Sequence, residues 1–285
     1  MAMQIIQKST SRLAAAGVLC AVALPAPAAS AAASAPVPPE LQALIAKMKA
    51  LQVSSERFSA TLSLHAHKVP KDLSVLRALK VNLSGEANLT TPESAVITTT
   101  LLGKPLIVRV VGKTIYTDEP ALGRKDGGRP WVKETRKVQP DVTGSAPGVA
   151  GAGTAAPYAA QAALIEGGKA FKALGTATAD GQAVSRFLVT VDPRKVPGTN
   201  LGKLRAKLRH DHITPKAQVE YDLTPEGLPV HTAGVITLGK IRVTFTADVL
   251  ATDFPLTVAE PPPAETITTS ELLALLKKEI HKKKK

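Results

Sequence analysis

Alternation with period two dominates this chain. It predicts an α+β protein, one wide antiparallel β-sheet that curls, with a few helices over its apolar side. Three observations carry that reading. Roughly eight to ten segments alternate cleanly between apolar and polar residues, the pattern of a sheet with one wet and one buried face. Only the stretches near 41–52, 157–174, 199–210 and 270–281 carry helical spacing or helix-starting signals. No second set of strands is left over to build a sandwich, and a sheet this wide tends to curl.

Taken in order, residues 1–31 read as an export signal. Lys8 and Arg12 form a positive start, Leu13 to Leu24 an apolar run, and Ala29-Ser30-Ala31 a small-residue cleavage pattern. The apolar run is short for a span and is interrupted by Pro25 and Pro27. Cys20 lacks a lipobox, with Leu19 directly before it and Gly17 three before, so no lipid anchor is expected there. Residues 32–39 are a proline-rich linker, and a domain is expected over 40–265. It opens with a helix whose Leu41, Leu44, Ile45, Met48 and Leu51 share one face. Strands follow at 58–66, 81–90, 94–102, 105–111, 113–117 and 130–135. Residues 141–156 are rich in Gly and Ala and read as a loop. Pro157 can open a helix reaching Leu174, weakened at Gly167-Gly168. Strands return at 175–180 and 183–191 around Asp180-Gly181, a strong hairpin signal. Residues 199–210 fit a basic amphipathic helix, although alternation there also permits a strand. A meander at 216–223, 228–238 and 240–250 leads into 255–263, which is expected to extend away from the sheet. Residues 266–285 form a final amphipathic helix with a polybasic tail, started by Thr268 and Glu271 at capping-box spacing.

The chain of 285 residues is long enough to bury a sizeable core without disulfides or metals, and its only Cys lies in the signal. Net charge is +13, and loss of Lys8 and Arg12 takes two positive charges from it. Five Phe, three Tyr and one Trp are too few for a binder that stacks single-stranded nucleic acid, so no nucleic-acid partner is expected. His65-Ala-His67 and His210-Asp-His212 have ligand spacing on an extended chain, but with no Cys and no carboxylate cluster beside them they read as solvated positions. No nucleophile-elbow, zincin, phosphate-loop or dinucleotide pattern occurs. The expectation is a non-catalytic protein with no cofactor and no metal. Alternation alone leaves open whether the helices fill the curved sheet or lid a hollow.

Three stretches resemble the LolA-like envelope proteins, particularly the actinobacterial LppX/LprG-type lipid-binding proteins. Val111-Gly-Lys-Thr-Ile-Tyr116 with Gly127-Gly-Arg-Pro-Trp-Val-Lys133 is similar to that family's paired strands. Tyr221-Asp-Leu-Thr-Pro-Glu-Gly-Leu-Pro-Val230 resembles its later hairpin, and Thr252-Asp-Phe-Pro-Leu-Thr-Val-Ala-Glu-Pro-Pro262 its closing segment. The resemblance implies an incomplete barrel, strongly curved, with helices lidding an apolar cavity for acyl chains. It implies no catalytic residue. Many relatives carry a lipid on an N-terminal Cys, which this chain lacks.

The expected partner is therefore a lipid or acylated molecule, bound by an exported, monomeric protein. The expected liners are Leu62, Leu64, Leu83, Ile97, Leu106, Val108, Leu188, Val219, Ile236, Val243 and Phe245, for each of which plain core packing is the competing role. Lys277, Lys278, Lys282, Lys283, Lys284 and Lys285 are expected to touch an anionic membrane or wall polymer electrostatically. The alternative is an envelope interaction or stress-sensing protein with a filled core, as in RseB-type relatives.

Overall fold

The computed structural model describes residues 36–66, 78–90, 94–101, 104–118, 129–135, 157–191, 216–239 and 241–282. The expected signal, the loop at 141–156 and the segment 199–210 lie outside them. Strands β1 (Ser55–Ala66), β2 (Ala78–Asn88), β3 (Ser94–Leu101), β4 (Lys104–Val111), β5 (Thr114–Asp118) and β6 (Trp131–Thr135) run outward from the middle of one sheet. Strands β7 (Ala170–Ala179), β8 (Gln182–Val191), β9 (Lys216–Leu223), β10 (Pro229–Leu238) and β11 (Ile241–Thr252) return to it from the other side. Antiparallel pairing of β11 with β1 joins the two halves. A short strand β12 (Thr266–Thr268) pairs in parallel with β6. The order β12-β6-β5-β4-β3-β2-β1-β11-β10-β9-β8-β7 does not close on itself. The result is an incomplete barrel of α+β class, antiparallel in all but one pairing.

Strand β7 starts earlier than the sequence predicts, and the early start has a local cause. The second helix stops at Glu166 rather than Leu174 because Gly168 brings the chain hard against β8. A Cβ on Gly168 would lie 2.7 Å from Val189 Cγ1, and Lys169 N–H then donates to the Thr190 carbonyl and starts β7. The hairpin to β8 turns on Asp180-Gly181 with φ of 49° and 79°, the left-handed pair that a two-residue turn requires. One strand, β12, is additional to those the sequence predicts.

The segment 253–262 also departs from expectation. It lies across the convex face of the sheet instead of extending away from it. Arg57 stacks over the Phe254 ring, Asn88 Nδ2 donates to the Leu256 carbonyl, Arg109 Nη1 donates to that of Ala259, and Tyr116 Oη donates to Glu260. Register puts Arg57, Glu86, Val96, Arg109, Tyr116 and Lys133 in one row on that face. The segment therefore covers a row whose residues would otherwise be wet.

Helix α1 (Pro39–Ala50) buries Leu41, Leu44, Ile45 and Met48. Helix α2 (Pro157–Glu166) buries Tyr158, Gln161, Ala162 and Ile165, again one helical stripe. Both pack on the concave side, with Phe187, Val189, Tyr221 and Leu223 of the sheet in the same core. Helix α3 (Thr269–Lys282) was expected among the concave covers; it instead runs beside β12 and β6 at the sheet edge. The reason lies in its N-terminus. Thr268 ends β12 and also caps α3, its hydroxyl contacting Glu271 N–H at 3.2 Å while Glu271 Oε2 accepts from Thr268 N–H at 2.8 Å. The helix starts where the edge strand stops and cannot reach the concave face.

Candidate functional site

Side chains that oppose one another across antiparallel strands share a face, so the register traces the concave wall row by row. One row runs Ile236, Val243, Leu64, Leu79. The next runs Val219, Gly234, Phe245, Leu62, Val81. A third runs Phe187, Tyr221, Thr232, Ala247, Ala60, Leu83, Thr99, Leu106. A fourth holds Val249, Phe58, Gly85, Ile97 and Val108. Ten of the expected liners thus stand on a single apolar wall. Leu188 does not. It opposes Glu220 on β9 and Lys172 on β7, which places it on the convex face. The correction has a plain cause: Phe187-Leu188-Val189 is apolar at both parities, and only pairing decides which parity faces inward.

Two glycines shape this wall. A Cβ on Gly234 would lie 2.4 Å from Cζ of Phe245, and one on Gly85 would lie 3.0 Å from Cζ of Phe58. Each ring therefore lies across the bare backbone of the neighbouring strand instead of standing into the interior. Wall area is kept without filling depth.

The helices seal the end of the wall nearest the turn between β9 and β10. Lys47 Nζ donates to the Pro225 carbonyl at 2.6 Å. A Cβ on Gly227 would meet the Leu44 carbonyl oxygen at 2.7 Å, so α1 rests directly on that turn. Leu41, Met48, Ala162, Val189 and Leu223 are wholly enclosed there. Further along, Leu79, Leu83 and Val243 each keep 9% of their surface, and Leu106, Val108 and Ile236 are only half-buried. Among the described residues α1 and α2 are the helices that lie over this wall.

A polar corner interrupts the sealed end, and no simple sequence signal marked it. Glu56 opposes Ala87 and continues the inward parity of Phe58, so its carboxylate enters the core. Tyr158 Oη donates to Glu56 Oε2 at 2.8 Å. Burial pushes the Glu56 carboxyl up to about 7, and the Tyr158 bond only partly opposes this. The Tyr158 phenol is itself raised above the ordinary tyrosine range by burial and by the Glu56 and Asp253 carboxylates. Glu56 Oε1 and both amide atoms of Gln161 have no hydrogen-bond partner among the described residues. Unpaired buried groups of this kind cost about 1–3 kcal/mol each.

On the convex face Ser59, Asp248 and His231 are close, but the carboxylate sits in the middle. Asp248 Oδ2 accepts from the Ser59 hydroxyl at 3.3 Å and Asp248 Oδ1 contacts His231 Nδ1 at 2.5 Å. Activating a hydroxyl needs the imidazole next to it, so this order does not make a nucleophile. Arg186 pairs with Glu220 and Asp222 nearby. Among the described residues no cluster of three His, Cys, Asp or Glu could hold a metal. His65 is exposed, and His67, His210 and His212 lie outside the described residues. Lys277, Lys278 and Lys282 belong to α3, but their side chains, with all of Lys283, Lys284 and Lys285, are likewise outside them. Among the described residues no helix is long and apolar enough to cross a membrane.

These features define a class: an open β half-barrel with an apolar concave wall and helices over part of it. No known family's sequence model matches the chain, and no curated protein matches it in sequence. Among solved structures it is similar to LprF from Mycobacterium bovis, at 16% identity and a TM-score of 0.46 over 80% of this chain and 99% of that one. It is similar to the lipoprotein LppX from Mycobacterium tuberculosis, at 15% identity and a TM-score of 0.44 over 78% and 100%. A LolA-superfamily protein from Nitrosomonas europaea matches at 9% identity and a TM-score of 0.28 over 75% and 94%. These are the kinds of protein that the three short stretches resemble. Likeness at this level is one of architecture and carries no ligand or activity with it.

Proposed function

We propose that this chain is an exported, non-catalytic carrier whose concave wall binds a lipid or the acyl chain of a lipidated molecule. One observation supports the reading above others: the apolar wall spans the strands from β4 through β1 to β8, while among the described residues only two short helices, α1 and α2 of twelve and ten residues, lie over it. The flat-lying rings of Phe58 and Phe245 support it further, because a core evolved to be solid would use them for depth. Burying one CH2 is worth about 0.8 kcal/mol, so a sixteen-carbon chain gains about 12 kcal/mol on leaving water. A bilayer shelters the same chain equally. Exchange between protein and membrane is therefore close to neutral and needs no chemical step.

The lysines at the C-terminus act in the same scheme as a surface contact. At about 1 kcal/mol per Lys near an anionic membrane, the tail from Lys277 to Lys285 gives weak, salt-sensitive adhesion that brings the opening to its lipid source. Native mass spectrometry of purified protein tests carriage. An added mass released by organic extraction, and uptake of a fluorescent fatty acid by the stripped protein, are expected. A bare mass with no uptake would overturn the proposal. The enclosed end under α1 and α2 favours the filled-core interaction protein instead, which predicts recovery of a membrane protein in pull-downs whether or not lipid is present.

A further inference from the structure

Carriage of an acyl chain makes no use of the polar corner. Glu56 ends the wall on β1, Tyr158 and Gln161 lie three residues apart on α2, and all three are almost completely enclosed. An apolar residue at 161 would suit the stripe of Ala162 and Ile165 at least as well. The amide is instead kept with neither its N–H groups nor its carbonyl paired among the described residues, one helical turn from Tyr158, which bonds a carboxyl whose other oxygen is also unpaired. Such a cluster bears the desolvation penalty of every group in it unless something polar completes it.

We propose that Glu56, Tyr158 and Gln161 form a head-group site that takes an uncharged, hydroxyl-bearing head, such as the glycerol of a monoacylglycerol, with the acyl chain running along the wall from it. The inference rests on the carrier reading above and names its ligand class. The chemistry follows from the atoms present. Gln161 offers two N–H donors and one carbonyl acceptor, and Glu56 Oε1 donates when the carboxyl is protonated and accepts when it is ionised. A diol answers both needs, since each hydroxyl donates and accepts. A carboxylate or phosphodiester head brings acceptors only, leaves the Gln161 carbonyl unanswered, and sets a negative charge against Glu56 whenever that group is ionised. An ammonium head suits Glu56 but offers nothing to the Gln161 N–H groups. Burial, which holds the Glu56 carboxyl up to about 7, keeps the corner close to neutral and favours an uncharged guest. Helix α2 must shift for the head to enter. It is held by the Tyr158–Glu56 bond, by the exposed Lys49–Glu166 pair at 2.6 Å and by apolar packing.

Competition against a bound fluorescent fatty acid, on stripped full-length protein, tests this with 1-palmitoylglycerol and palmitate as the competitors. The wild type is expected to prefer the glyceride by about tenfold or more, since a site built to bond hydroxyls discriminates against ligands lacking them. Gln161→Leu is expected to bring the ratio of the two affinities in the same protein to about one, and Gln161→Met serves the same purpose should the first variant fold poorly. Glu56→Gln keeps an acceptor at the site and is expected to keep the preference. Equal binding of the two lipids by the wild type, or a preference that survives in both Gln161 variants, overturns the head-group site. So does a Gln161→Leu protein that is stabilised with its lipid ranking unchanged, which would assign the polar atoms to ordered water. Palmitate bound without preference defeats this inference alone; a wild type that binds neither lipid defeats carriage as well.

Discussion

Glu56 makes a quantitative demand on stability. Its carboxyl ionises ordinarily near 4.5 and is held at about 7 in the folded protein, chiefly by burial. At 1.36 kcal/mol for each tenfold in proton affinity, that difference amounts to about 3 kcal/mol. Between the two values the folded chain holds a proton that the unfolded chain has released. Stability must then fall as pH rises from about 4.5 to about 7, and level off above. Glu56→Gln removes the ionisation and keeps a carbonyl oxygen to accept the Tyr158 hydroxyl. The comparison is urea unfolding of both proteins from pH 4 to pH 8, followed by the fluorescence of Trp131, the only Trp in the chain. Other groups titrate alike in both, so the difference isolates this carboxyl. The variant is expected to gain about 3 kcal/mol relative to wild type across that range. Parallel curves, or a gap that opens toward acid, would show that the carboxylate is solvated and that the corner is not the buried site described.

Other substitutions test the wall and its frame. Leu64→Ser, on the concave side, is expected to weaken fatty-acid uptake severalfold, while Leu188→Ser, on the convex side, leaves it unchanged; titration of both with the same probe decides it. Gly234→Ala forces the Phe245 ring off the backbone and into the interior, so it should destabilise by about 1–3 kcal/mol and reduce the longest chain accepted, both read from one purified variant. Asp253 holds a φ of 56° while its Oδ1 accepts from Ser54 N–H at 2.8 Å and from the Ser54 hydroxyl at 2.9 Å. Asp253→Ala loses both bonds at a strained position and should cost about 1–2 kcal/mol in thermal or urea unfolding, by releasing the start of the segment that crosses the convex face.

Much of this architecture was legible in the chain because side-chain alternation is a local property. Where Leu62 and Leu64 alternate with Ser63 and His65, or Val243 and Phe245 with Arg242 and Thr244, the inner face is evident without a partner strand. Leu188 failed for the converse reason. The same logic carried back from Phe58 to Glu56 points a carboxylate inward, yet a charged residue near a strand's start reads first as its boundary. Nothing local shows that Tyr158 meets it, 102 residues away in the chain.

By itself the amino-acid sequence determined the curled antiparallel sheet, the positions of its turns, and ten of the residues on its apolar wall, because each depends on neighbours a few positions apart. Tertiary structure alone decided that α3 lies at the sheet edge, that 253–262 covers the convex face, and that Glu56 meets Tyr158 in an enclosed corner, with Gln161 buried one turn along the same helix. Those outcomes depend on which distant surfaces meet and which polar atoms they strip of water, and no periodicity along the chain encodes that.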